Sequence, residues 1–197
     1  MDHSIITITK RSAARHEVDG AIRALADHRN FIAAELLASA AIDVIAGVTK
    51  AEGLMTFSGE FEKAIRPEKL RETQKIVRKA YNFLKHSDRD KDTAIDRYRT
   101  DAAIFRIFIA IIDFEACWRT KNLPMIIYLS WFLSRNPRLL AEGHHGLIEH
   151  FNRYYGDMAV VSEDQALAVL KKVLQECDNA GALVEQRLRA DGQNIEY

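Results

Sequence analysis

The run Arg66 to Asp96, RPEKLRETQKIVRKAYNFLKHSDRDKDTAID, decides the fold. Pro67 suits the first turn of a helix, where a missing N–H costs nothing, and Glu68 beside it suits the positive end of the helix dipole. Leu70, Val77, Tyr81 and Leu84 follow at spacings of seven, four and three. Ile76, Ala80 and Phe83 widen that stripe into a core-facing surface. The opposite face is polar and mostly basic. Lys75, Arg78, Asn82, Lys85 and His86 recur at three- and four-residue steps, so Arg78, Asn82 and His86 fall in one line, a turn apart. After His86, the segment Ser87-Asp88-Arg89-Asp90-Lys91-Asp92 has no apolar residue, and it reads as a solvated turn ending in the N-cap of another helix.

The same signals place helices on either side. A first helix is expected from about Ser12 to Asp27, with Ala14, Val18, Ala21, Ile22 and Leu25 on one face. Asn30 then caps a second, from Phe31 to about Val48, whose only charges are Glu35 and Asp43. Glu35, Ser39 and Asp43 lie four apart and make one polar edge, either a solvent-facing seam or a carboxylate edge facing the basic edge around Arg78. Residues 49 to 65, with Gly53 and Gly59, read as a loop with at most one irregular turn. A fourth helix is expected from about Thr93 to Trp118 and a fifth from Asn122-Pro124 through Phe132. A short helix from Leu147 to Tyr155 follows, and a long one runs from the capping signal Ser162-Glu163-Asp164-Gln165 to about Ala190. Ser4 to Thr9 has the makings of a short strand or an extended arm, with no second strand to pair with. The fold class is therefore all-α: an antiparallel helical bundle in a single domain, with a four-helix core over 11–118 and additional C-terminal helices over 122–190 packed on it.

Lysine plus arginine equals aspartate plus glutamate at 28 each in 197 residues, so no global field draws the chain to nucleic acid or to an acidic membrane. Any such binding has to be local. Cys117 and Cys177 belong to no CxxC or histidine cluster, which fits a reducing cytoplasm. The N-terminus lacks the continuous apolar core of a secretory signal, and the apolar run from Ala102 to Trp118 is broken by Arg106, Asp113 and Glu115. Leu123 to Leu133 is about half the length that crosses a bilayer. The expectation is a cytoplasmic protein with no membrane partner. Large apolar side chains in the fourth and fifth helices exceed what one four-helix core covers, which points to a homodimer.

Cleavage of an RNA phosphodiester needs a base of near-neutral pKa for the 2′-hydroxyl proton and a cation for the charge growing on phosphate. On the line described, His86 would be the base, Arg78 or Lys85 the cation, and Asn82 the group that orients histidine or phosphate. Lys75, Lys85 and Tyr81 flank it as further binding contacts. At Tyr81-Asn82-Phe83-Leu84-Lys85-His86 the chain resembles the motif of HEPN domains, helical bundles of which some are metal-independent ribonucleases and others non-catalytic RNA- or nucleotide-binding modules. Asn82 and His86 match the polar residue and the histidine of that motif. Tyr81 stands where active members have arginine, and Arg78 lies one turn earlier. The longer run Asn82 to Asp90 is similar to one in bacterial proteins of comparable size. The resemblance implies an RNA or nucleotide partner without a cofactor, and binding without cleavage if the arginine is essential. A different class of function, a non-enzymatic interaction protein using an apolar face, is the alternative.

No metal site emerges from the pattern. Asp88, Asp90 and Asp92 begin like a calcium loop, but Thr93 and Arg99 occupy the places of the required glycine and glutamate. Glu142 and His145 have the ExxH spacing of di-metal bundles without the second copy those sites require. His145 and Glu149 would share a face only if that segment were helical.

Overall fold

The computed structural model describes residues 7–85, 94–95, 98–140 and 145–190, and among these every regular element is a helix. The chain divides into two compact units, Met1–Ile126 and Ile127–Tyr197.

In the first unit, α1 (Lys10–His28) starts two residues earlier than expected because Thr9 caps it. Ser12 N–H donates to Thr9 Oγ1 at 3.0 Å and Thr9 N–H donates back to Ser12 Oγ at 2.9 Å, so two of the backbone donors left over at the helix start are met reciprocally. Ala14, Val18, Ala21, Ile22 and Leu25 are all fully buried, as their spacing predicts. Arg29 adopts a left-handed conformation (φ 51°), and Asn30 accepts from Ala33 N–H at 3.0 Å to open α2 (Phe31–Glu52). The pair α1–α2 is thus an antiparallel hairpin.

Residues 49–65 are not a loop. α2 continues to Glu52 and ends on Gly53 at φ 64°, where a side chain would be strained. Two further turns, α3 (Phe57–Ala64), follow from the Thr56 cap, which accepts from Gly59 N–H at 3.1 Å. α3 has no buried residue. The long helix read from Pro67 to His86 is interrupted: α4 (Pro67–Val77) and α5 (Lys79–Lys85) meet at a turn on Arg78. Two ladder bonds still run through that turn, from Arg78 N–H to Gln74 and from Asn82 N–H to Arg78. The expected turn Ser87–Asp92 lies outside the described residues, and α6 (Thr100–Trp118) begins later than Thr93.

α2 and α6 run in the same direction. Tyr98, just ahead of α6, donates to the Phe31 carbonyl at the start of α2, while Asp113 near the end of α6 accepts from Ser58, just past the end of α2. α2 is also long and apolar enough, by length and composition, to cross a membrane, a property the reading of residues 102–133 did not cover. It packs on α1 and α6, and its alanines 34, 38 and 41 are fully buried there, so close backbone approach accounts for its composition.

α7 (Leu123–Arg135) spans the division and runs a turn further than expected, to a tight helical turn at Pro137–Leu139. Asn122 caps it, accepting from Met125 N–H at 3.2 Å while its amide holds Asp19 of α1 at 2.7 Å. In the second unit, Trp131 donates from Nε1 to the Ala166 carbonyl at 2.8 Å, and Ser130 shares a 2.6 Å hydrogen bond with Tyr155. These fix α7 against α8 (His145–Tyr155) and α9 (Glu163–Ala190). Tyr128 and Trp131 have no exposed surface and belong to the core of this unit.

Candidate functional site

The polar edge of α2 faces inward. Glu35 is 2% and Ser39 6% exposed, which overturns the solvent-seam reading, and Asp43 accepts from Arg78 at 2.7 Å. The carboxylate edge and the basic edge therefore meet. Arg78 sits at the α4–α5 turn with about two-fifths of its side chain exposed (41%), and Asp43 keeps 33%. Such a half-exposed pair is worth about 1 kcal/mol or less in stability. Its role is to hold the guanidinium in one place.

Three residues not singled out for chemistry in the sequence complete this corner. Arg106 of α6 is half-buried. Burial pushes its pKa down, Glu35 counters that, Arg78 adds to it, and Asp43 counters it again. Arginine stays protonated through such shifts, so a second cation lies within electrostatic reach of Glu35, Asp43 and Arg78. Tyr98 donates to Glu35 Oε2 at 2.8 Å, and burial followed by that carboxylate drives its phenol well above the ordinary range. Glu17 of α1 has its pKa raised by burial and then by Asp43, and its Oε2 is buried without a hydrogen-bond partner among the described residues. The signal for Arg106 was present: a lone cation in an apolar helix requires a carboxylate near it.

Of the line read from the sequence, Arg78 and Asn82 are placed on successive turns, and Asn82 is half-buried. Tyr81, in the arginine position of the HEPN motif, is 8% exposed and belongs to the core. Lys75 lies on α4 and Lys85 on α5. His86 lies outside the described residues, as do Asp88, Asp90 and Asp92. The segment carrying His145 and Glu149 is helical, yet no group of three metal-ligating side chains occurs among the described residues.

No protein family, curated protein or solved structure matches the chain.

Proposed function

We propose that the first unit is a HEPN-like module that binds RNA or a nucleotide through the Arg78–Asn82 edge and does not cleave it. The observation that carries this reading is the Arg78–Asp43 pair. One guanidinium N–H is used on Asp43, of the five that an arginine offers, so the group is fixed yet still able to donate to phosphate oxygens. The same pair argues against cleavage: a cation already offset by a carboxylate has less to give a phosphate that gains charge in the transition state, and the arginine position of the motif holds a core tyrosine.

The test is RNA binding and RNA cleavage by the parent, Arg78→Ala and His86→Ala, without added metal and across a salt series. Binding that weakens in Arg78→Ala, with a shallower salt dependence and no cleavage by any of the three, supports the reading. Cleavage lost in His86→Ala would make the protein a ribonuclease.

A second reading has its own observation. Met55, Phe57 and Phe61, in one short stretch, are 57%, 42% and 49% exposed, an apolar surface of the kind that marks contact with another protein. A second copy of the chain is the simplest partner. Sedimentation equilibrium giving twice the 22.4 kDa monomer mass, and the monomer mass for Phe57→Ser/Phe61→Ser, would support it.

A further inference from the structure

We propose that α3 pairs with α3 of a second copy of the chain, antiparallel across a two-fold axis, with Glu60 of each copy facing Lys63 of the other. This rests on the second reading above and gives it a geometry. A helix on a globular unit ordinarily turns its apolar stripe to the body and its polar side to water. α3 does the reverse. Its polar side is the attached one: Ser58 donates to Asp113 of α6 through its N–H and its hydroxyl, and Glu62 accepts from Gln74 of α4 at 3.0 Å. Phe57, Phe61 and Ala64, at spacings of four and three, form the apolar stripe. All three are exposed, the phenylalanines by 42% and 49%, and Leu54 and Met55 just ahead of the helix add to the open surface.

The charges beside the stripe indicate what covers it. Lys63 Nζ lies 3.0 Å from Glu60 Oε1, so one cation and one anion, both exposed, share a flank of the stripe. A two-fold axis between antiparallel helices brings like flanks together and reverses their order. Glu60 then meets the second copy's Lys63, and Lys63 meets its Glu60, whereas a parallel arrangement would oppose like charges. The apolar side chains fit the same operation. Phe57 falls opposite the second copy's Ala64, a large ring against a small residue, and Phe61 meets its counterpart near the axis. Phe57 and Phe61 leave ~200 Å² of surface open, and with Leu54 and Met55 the stripe reaches roughly 300–400 Å² per copy. A standard interface takes about 800 Å² from each partner, a little over half of it apolar. The stripe supplies most of that apolar share from one short helix, which makes a weak, concentration-dependent dimer and not an obligate one.

The experiment is sedimentation equilibrium of the full chain across a concentration series. It compares the parent, Glu60→Lys, Lys63→Glu and the exchange Glu60→Lys/Lys63→Glu, each checked to melt like the parent. The parent should dimerise, each single reversal should associate roughly tenfold more weakly, and the exchange should restore the parent's affinity. An ion pair acting only within one helix would give the same pattern. The two single variants are therefore also mixed, one of them isotopically labelled, and followed by native mass spectrometry. Glu60→Lys leaves only ammonium groups on the flank and Lys63→Glu only carboxylates, so each should prefer the other to itself and the heterodimer should exceed its statistical share. A share no greater than statistical would confine the pair to one chain and overturn the inference. Single reversals that associate like the parent, while Phe57→Ser/Phe61→Ser is monomeric, would also overturn it and leave the second reading standing. A parent that stays monomeric would overturn both, and flotation of that monomer with phosphatidylcholine vesicles would assign the stripe to a lipid surface instead.

Discussion

Asp113 is a carboxylate with no exposed surface, accepting from Ser58 N–H at 3.2 Å and Ser58 Oγ–H at 2.5 Å. Burial raises its pKa, and the hydrogen bonds from Ser58 and Phe57 pull the other way. A carboxyl whose folded pKa exceeds its unfolded value binds its proton more tightly when folded. Its contribution to stability is therefore whole below the unfolded value, about 4, and is lost as pH rises through the folded value. Asparagine carries no such dependence. The stability of Asp113→Asn relative to the parent should thus increase between about pH 4 and pH 7, measured by denaturant titration at each pH. A decrease would mean that the accepted hydrogen bonds outweigh burial. Asp113→Ala, which strands the Ser58 donors, should cost about 1–3 kcal/mol at either pH. The pairing was not legible beforehand, because Asp113 and Ser58 are 55 residues apart and nothing in either segment names the other.

Among the elements, α3 is the least secured. It buries no side chain and is held at its first turn by Thr56 and Asp113. Amide protons of 59–64 should exchange by local opening well before those of α2, whose alanines are sealed against its neighbours. Thr56→Ala should accelerate exchange in α3 further, by the roughly 0.5–2 kcal/mol that a cap contributes, and leave α1 unchanged. Equal protection of α2 and α3 would refute this ranking. The same weakness explains which helices could be read from the sequence. α1 and α9 carry an apolar stripe and a capping residue, so both were found to within a few residues. α3 has outward-facing phenylalanines and a glycine in its first turn, a composition shared with loops. The break at Arg78 has neither proline nor glycine to announce it. The candidate site divides along the same line. Arg78 and Asn82 could be read from one helix, and the α2 carboxylate edge was foreseen as one of two options. Arg106, Tyr98 and Glu17 join only through packing of α1 and α6 on α2, which periodicity within one segment does not encode.

At the scale of the whole molecule, each compact unit carries one thiol, and the two differ in access. Cys117 is buried, with burial and then Glu52 raising its pKa, while Cys177 is half-exposed. A thiol reagent under native conditions should therefore modify one cysteine rapidly and the second only on unfolding. Peptide mapping that found Cys117 labelled first would contradict the packing of α6. The parallel course of α2 and α6 also sets an order of events during folding. The α1–α2 hairpin closes through the short link Arg29–Asn30. The α2–α6 pairing cannot lock until the chain has returned across the 67 residues that separate Phe31 from Tyr98. Loop closure of that length lowers the chance of early encounter, and local contacts form first. Weakening the hairpin through Asn30→Ala should therefore slow refolding. Removing the late contact through Tyr98→Phe should leave the refolding rate nearly unchanged and speed unfolding, so that stopped-flow traces separate the two variants by which arm of the chevron moves.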